Sequence, residues 1–418
     1  MQPYPIATHT LDNGLRVAVA EAPSPGVAVN LWVEVGSSDE APDRTGFAHL
    51  FEHLMFQGST HVASGEHMAL VESLGGTVNA TTSADRTSYF ETVPRGALEL
   101  ALWLEADRLA TLDISAAHFE AQREVVKEEK RERYDNQPYG DLLELVIAQH
   151  FPTDHPYGHL TIGSMAHLDE AALGDVTDFF DTWYRASNTR LVLAGPISPD
   201  EGFRLAEQYL GHLPALTPPP TREPLDLPLL GPTTTTVTRP VPYSITYLSW
   251  PTPPAASKAQ SALDLALMVL ADGHAARLHR RLVRDLGVAQ ECQATSLTHR
   301  RAPSVALLMA RPADGTDPAR LTGAMRDELT RFVDEGPTEQ ELARALAQYE
   351  RAWLWQLATA EDRADACNDA WLLWGDPGRI NTHLDDVLAL TPDTVRAAAA
   401  TWLHPEHAHE LRYLKEDA

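Results

Sequence analysis

A proline-rich segment divides the chain and limits the folds open to it. The stretch LPALTPPPTREPLDLPLLGPTTTT runs from Leu213 to Thr236 and contains proline at short intervals. Because proline lacks a backbone donor and interrupts helices and central strands, an extended linker is predicted here. The 418 residues also exceed the size of one ordinary domain. We therefore predict a first domain at residues 1–212, a linker at 213–236 and a second domain at 237–418.

The same order of strands and helices occurs on both sides of this linker. The first part begins with alternating residues around Asn13-Gly14, a strong hairpin signal, and continues with the strand VAVNLWVEVG. Helix-period segments follow, separated by the strand-like stretches GTVNATT, TSYFETV and TRLVLAG. The second part contains strands, helices, AQECQATSL, SVALLMAR, more helices and a closing strand, HELRYL. We predict an α+β fold of two similar domains, each a mainly antiparallel sheet with helices packed on one face.

The composition excludes several functional classes. Apolar residues make up 44% and charged residues 22%, as in ordinary globular proteins. The 59 acidic and 33 basic residues give a net charge of −26, which repels phosphate and anionic lipid. We therefore expect no nucleic acid and no membrane as partner. The N-terminal stretch lacks a leader pattern, so we expect a cytoplasmic protein.

The stretch TGFAHLFEHLMFQGS places His49, Glu52 and His53 in one predicted helix. At helical spacing all three side chains project from the same face. Two imidazoles four residues apart can bind one zinc ion, and the carboxylate beside them can take a proton from water. Chance would produce this string in roughly one of twenty chains this rich in histidine, so a third ligand is required.

The later stretch HFEAQREVVKEEKRERYDNQPYG offers that third ligand. Phe119 and Val126 mark the buried side of a predicted helix. Gln122 and Glu129 lie on the same side, where a carboxylate needs a cation or another partner. Glu129 is favoured as the ligand over an ion-pair role, and Glu128 is the alternative ligand.

These motifs resemble the pitrilysin or insulinase family of zinc peptidases, the inverzincins, in the short single-half form of mitochondrial processing peptidase subunits. The likeness runs through LDNGLRV, GSSDEAPDRTGFAHLFEHLMFQGS, LGGTVNATTSADRTSYFETVP, EVVKEEKRERYDNQPYG and GHAARLHRRLVRDLGVA. It implies that His49, His53 and Glu129 bind one zinc ion per chain and that Glu52 is the general base. The chain is expected to be a zinc metalloendopeptidase acting on peptides or unfolded segments. A non-catalytic partner subunit is the alternative.

The resemblance also implies roles outside the zinc motif. Gln122 replaces a family carboxylate, and its amide can still hydrogen-bond a metal-binding side chain. Asn79 and Ala80 lie in the strand on which the family pairs its peptide substrate. Arg284 matches a substrate-binding arginine, whereas Gln290 stands where the family has a tyrosine. Because short forms close a chamber from two subunits, we expect a homodimer, or a heterodimer with a paralogous subunit that carries the Arg and Tyr.

Other histidines are interpreted as surface residues. His61 and His67 flank the start of a short predicted helix, and His155 lies in the loop sequence DHPYGH. His409 closes the sequence HPEHAH before the last strand. Neither of these two loop sequences has a rigid scaffold or a third partner at metal-binding spacing.

Overall fold

A computed structural model gives the structure and describes residues 3–215, 222, 225 and 230–416. The strands are Ile6–Thr10 (β1), Arg16–Glu21 (β2), Val27–Val33 (β3), Thr77–Thr82 (β4), Thr87–Val93 (β5), Thr189–Gly195 (β6), Thr234–Arg239 (β7), Ile245–Thr252 (β8), Ala289–Leu297 (β9), Ser304–Pro312 (β10) and His409–Lys415 (β11). The helices are Phe47–Leu54 (α1), Glu66–Ser73 (α2), Leu98–Thr111 (α3), Ala116–Lys130 (α4), Leu142–His150 (α5), Met165–Glu170 (α6), Leu173–Trp183 (α7), Pro199–Leu210 (α8), Lys258–Ala271 (α9), Pro318–Glu335 (α10), Glu339–Gln356 (α11), Ala360–Trp374 (α12), His383–Leu388 (α13) and Pro392–Trp402 (α14). Within the described residues, no helix combines the length and the apolar character that a membrane crossing requires.

The first compact unit contains a six-stranded sheet in the order β1-β2-β6-β3-β5-β4. Only β2 and β6 pair in parallel, and the other neighbours are antiparallel. The predicted hairpin around Asn13-Gly14 is confirmed, and Gly14 has φ +87° with a Cβ position 3.0 Å from Ser187 Cβ. Strand β4 is the last strand of this sheet, with β5 as its neighbour.

Helices cover both faces of the first sheet. Helix α8 approaches one face so closely that a Cβ on Gly202 would lie 2.6 Å from Val19 Cγ2. The other face packs against α12, a helix from late in the chain, through small and apolar residues. This second layer consists of Ala18, Ala20, Ala28, Val192 and Ala194 of the sheet with Ala364, Cys367, Ala370 and Trp371 of the helix. Alanines on both partners let the helix lie close to the strands.

The second compact unit contains a five-stranded sheet in the order β7-β11-β8-β10-β9, in which only β7 and β11 pair in parallel. One face forms an apolar core with α9, α10 and α14. The other face meets α5, because His150 Nε2 lies 2.8 Å from Ser249 Oγ and Gln149 Nε2 donates to the Glu410 carbonyl at 3.0 Å. The predicted α+β class with two similar domains, each a mainly antiparallel sheet, is confirmed. Helices were expected on one face of each sheet, but α12 and α5 cover the second faces.

The compact units differ from the consecutive domains predicted at 1–212 and 237–418. Residues 132–158 belong to the second unit and residues 353–383 to the first. Residues 353–383 cover an apolar face of the first sheet, and residues 132–158 contact the second sheet through His150 and Gln149. Most of the predicted linker lies outside the described residues, and its last three residues, 234–236, already form part of β7 beside β11.

Candidate metal centre

Helix α1 has one face that is not buried, and that face carries the motif. His49, Glu52 and His53 are the only partly exposed residues of α1. The ring of Phe51, on the opposite side, lies 4.6 Å from the ring of Tyr184. The buried residues of the helix are Phe47, Ala48, Leu50, Phe51 and Leu54. The apolar positions therefore fix the helix and direct the two imidazoles and the carboxylate to the same side.

A buried carboxylate fixes the N-terminus of α1. Glu40 accepts hydrogen bonds from the backbone N–H of Gly46 at 2.9 Å and of Ala48 at 2.7 Å, and its side chain is fully buried. His159 Nε2 lies 3.1 Å from the same carboxylate. Burial raises the pKa of Glu40, and these donors oppose that rise. Gly46 has φ +97°, a conformation that favours glycine at this turn.

Replacing Glu40 by Gln should destabilise the fold, because one of the two backbone donors then loses its acceptor inside the protein. We expect the free energy of unfolding in urea to fall by about 2–3 kcal/mol. The matched control is Glu66→Gln, since Glu66 is exposed and accepts one bond, from the N–H of Ala63, at 2.8 Å. This control should change the stability by less than about 1 kcal/mol. Equal losses in the two variants would contradict the role of Glu40.

Helix α4 brings a third ligand atom to the motif. Phe119 and Val126 are buried as predicted, and the Ser115 hydroxyl caps the helix by accepting from the N–H of His118. Glu129, on the side facing α1, places Oε2 3.3 Å from His53 Nε2. The same oxygen lies 3.7 Å from Nε2 of His49, whose ring is 4.8 Å from the His53 ring.

These three side chains form a set of donors that fits zinc. The ligand atoms of His49, His53 and Glu129 all lie within 4.8 Å of one another. Their side chains are only 12%, 23% and 15% exposed. Two imidazole nitrogens and one carboxylate oxygen are the protein ligands of many hydrolytic zinc sites, which leave one position for water.

Glu52 stands beside this set without belonging to it. The hydroxyl of Thr82, at the end of β4, donates a short hydrogen bond to Glu52 Oε2. Burial raises the pKa of Glu52, while the Thr82 hydroxyl and His53 lower it and the charge of Glu129 raises it further. The carboxylate is therefore oriented by a neutral donor and remains close to the three possible ligands.

The other predicted residues lie in several places. Gln122 is partly buried on α4, two turns before Glu129, whereas Glu128 is exposed and pairs with Arg131 at 2.8 Å. The alternative ligand Glu128 therefore faces away from the cluster. Asn79 and Ala80 lie in β4.

Arg284 and Gln290 belong to the second unit. Arg284 is exposed in the π-helical turn His279–Asp285. Gln290 is exposed in β9, and its Nε2 donates to Asp314 Oδ1 at 3.4 Å. Their predicted substrate contacts stay a prediction.

A second buried group was missed at the sequence level. His67 Nε2 lies 3.1 Å from Glu91 Oε1, and Glu105 lies beside both and pairs with Arg108. Burial raises the pKa of Glu105 to about 7, and burial lowers that of His67 to about 3. Because Arg108 already compensates Glu105, the group fits a buried ion-pair network better than a metal site. Glu91, at a buried position of the strand TSYFETV, is the sequence feature that could have indicated this group.

The interpretation of His67, His155 and His409 as surface residues is wrong, because all three are buried. His155 Nδ1 accepts from the N–H of Tyr157 at 3.0 Å, and the ring of His409 lies 4.5 Å from the ring of His150. The covering residues of His67 and His409 come from elements distant in sequence, which local sequence patterns do not reveal.

Family comparisons agree with the motif and the fold. The family described as insulinase (peptidase family M16) matches residues 16–161, and the family described as peptidase M16 inactive domain matches residues 171–349. The first match contains all three possible ligands and Glu52. The two matches together cover most of the chain.

Individual relatives point the same way. The chain is 32% identical over 209 residues to a zinc protease, PqqE, of Helicobacter pylori, covering 49% of this chain and 46% of the relative. It is 31% identical over 211 residues to a probable mitochondrial-processing peptidase subunit beta of Schizosaccharomyces pombe, covering 49% and 45%. The chain thus spans about half the length of these relatives. The crystal structure of a protease from Helicobacter pylori has the same fold, with a TM-score of 0.90 and 24% identity over 99% of this chain and 100% of that one. The chain therefore belongs to the insulinase family, peptidase family M16.

Proposed function

We propose that this chain is a zinc metalloendopeptidase that hydrolyses peptides or unfolded polypeptide segments. The observation that carries the proposal is the meeting of His49, His53 and Glu129 at one point, beside a Glu52 that is held by a different partner. A carboxylate close to a metal site, but not needed as a ligand, is suited to proton transfer. The zinc-protease names of the relatives support the same reaction class.

Different residues are proposed to bind the metal, to transfer the proton and to support the ligands. A zinc ion held by His49, His53 and Glu129 supplies Lewis-acid chemistry, which lowers the pKa of water toward neutrality and polarises a carbonyl. Glu52 accepts the proton of the attacking water and then donates it to the amine that leaves. Gln122, on the same helix as Glu129, is proposed to support a metal-binding side chain through its amide.

The substrate is proposed to bind as an added strand on β4. This strand is the last of its sheet, and β5 pairs with one of its edges. The N–H of Ala80 donates to Asn79 Oδ1 at 2.8 Å. A peptide that displaced this side chain would pair with the backbone of the strand, and such binding is independent of the peptide sequence. Asn79 and Ala80 lie in the middle of β4, three and two residues before Thr82.

We propose that two subunits form a closed chamber around the substrate. One relative supports this proposal, because its name describes a probable subunit of a mitochondrial-processing peptidase. Arg284 would contact the substrate, while Gln290 lacks the phenol that an oxyanion contact by tyrosine requires. The proposal therefore includes either a paralogous subunit that supplies the tyrosine, or a homodimer that acts without a tyrosine at this position.

The alternative function is a non-catalytic partner subunit. The description of residues 171–349 as an inactive domain leaves this role open for the second part of the chain. The cluster and Glu52 lie in the first part, so that description does not apply to them. Metal content and peptide cleavage separate the two functions.

Removal of zinc tests the proposal. We expect about one zinc per chain by elemental analysis and cleavage of an unstructured fluorogenic peptide library. A chelator should remove both the metal and the activity, and stoichiometric zinc should restore both. Purified protein that contains zinc but cleaves no peptide, alone or with a second subunit, would support the non-catalytic alternative.

A further inference from the structure

The proposed base is tied to the proposed peptide-binding strand through one side chain. Thr82 is the last residue of β4, and its hydroxyl donates to Glu52 Oε2. Thr82 also pairs with Thr87 across the β4–β5 hairpin. The orientation of Glu52 thus depends on where the end of this strand lies.

The end of the strand is itself fixed by Arg86. The Arg86 guanidinium donates from Nη1 to the Thr81 carbonyl at 2.7 Å and to the Thr81 hydroxyl at 2.6 Å. It also lies over the ring of Trp32, 4.8 Å from the centroid. The backbone N–H of Ser83 donates to the Arg86 carbonyl at 2.9 Å, which closes the turn. Arg86 therefore holds the residue directly before Thr82.

Carboxylates of α12 face this arginine. Asp365 accepts from Asn30 Nδ2 at 3.4 Å. Burial lowers the pKa of Arg86, and the charges of Asp365, Asp369 and Glu52 oppose that fall. Helix α12 follows the linker in sequence but belongs to the first compact unit. The later part of the chain thus supplies charges that favour the protonated form of Arg86.

We propose that Thr82 is a positioning residue that orients Glu52 for proton transfer, and that Arg86 fixes the strand end that carries Thr82. The inference rests on the proposed function. With Oε2 held by the hydroxyl, Oε1 of Glu52 would be the atom that takes the proton from water. Because the bound peptide would pair with the same strand, the scissile bond and the base share one rigid support.

The first test compares Thr82→Val with Thr82→Ser. Valine keeps the shape but removes the donor, so we expect kcat to fall about 10- to 100-fold while KM changes less than about twofold. Serine restores the donor and should return kcat to within about threefold of the wild type. Zinc content should be one per chain in both variants. The matched control is Thr177→Val, at an exposed position of α7, which should leave kcat and KM unchanged.

The second test uses Arg86→Gln and the double variant with Thr82→Val. If Arg86 acts through Thr82, the single change should lower kcat, and the double variant should be no slower than Thr82→Val alone. Additive losses would overturn the proposed dependence. Arg86→Gln leaves the Thr82 side chain chemically unchanged, so an unaltered kcat in this variant would overturn the role of Arg86 even if Thr82→Val does not fold.

Failure of this inference can be distinguished from failure of the proposed function. An active, zinc-containing wild type with an equally active Thr82→Val variant would overturn the positioning role alone. A rise in KM with unchanged kcat would also overturn it, because the hydroxyl would then act in binding. A wild type that neither retains zinc nor cleaves peptides would overturn both.

Discussion

Replacing Glu52 by Gln should lower kcat by about 10²- to 10⁴-fold and leave zinc binding intact. Glutamine has nearly the same shape and can still accept the hydrogen bond from Thr82, but its amide does not take up a proton from water. Because Glu52 is not one of the three clustered residues His49, His53 and Glu129, the zinc content should remain one ion per chain. Steady-state cleavage of a fluorogenic peptide and elemental analysis of the same sample measure the two quantities together.

The control for this variant is Glu72→Gln, which makes the same change on the exposed surface of α2. It should have the kcat of the wild type. Two results would contradict the assignment of Glu52 as base: a kcat within about tenfold of the wild type, or a loss of zinc in Glu52→Gln. The second result would make Glu52 a ligand, and the division of roles on α1 would then be wrong.

The sequence predicted the helical part of the site because the pattern there is local. The spacing of His49, Glu52 and His53 puts them on one face of any helix, and the apolar residues between them determine which face is buried. Glu129 was found for a similar reason, since Phe119 and Val126 mark the buried side of α4. Their meeting depends on the packing of α1 against α4, which only the structure shows.

The parts that sequence patterns did not predict depend on contacts between distant segments. Glu40 caps α1 through a loop, and its role has no signature in the motif itself. The exchange of residues 132–158 and 353–383 between the compact units was missed because neighbours in sequence were taken as neighbours in space. The local sequences of α5 and α12 do not specify which sheet these helices cover.

Because residues 353–383 belong to the first compact unit, the second part of the chain contributes to the structure around the candidate active site. All the possible ligands and Glu52 precede the linker, yet α12 covers the sheet that contains β5 and supplies charges around Arg86. We therefore expect the first part expressed alone, without residues 353–383, to expose the apolar face lined by Ala18, Ala20 and Val192. The compact unit, and not the consecutive sequence segment, is the structure that supports the site.

Two adjacent glutamates on α4 give the sharpest test of the metal site. Glu129→Gln should weaken zinc binding by more than about 100-fold, because loss of a side chain that only supports a ligand already costs about 10- to 100-fold. The neutral amide of glutamine is a weaker ligand than a carboxylate, so the two imidazoles of His49 and His53 would be the remaining strong ligands. Peptide cleavage should fall with the zinc content, and an excess of zinc should restore part of both.

Glu128→Gln is the matched control, since it makes the same change one residue earlier on the same helix. Glu128 is exposed and pairs with Arg131, and an exposed pair contributes no more than about 1 kcal/mol. Zinc affinity and kcat should therefore equal those of the wild type. Both variants should keep the helix content, because Phe119 and Val126 hold α4 against the unit. If Glu128→Gln lost zinc while Glu129→Gln retained it, α4 would have to present a different face to α1, and the geometry on which the peptidase function rests would be wrong.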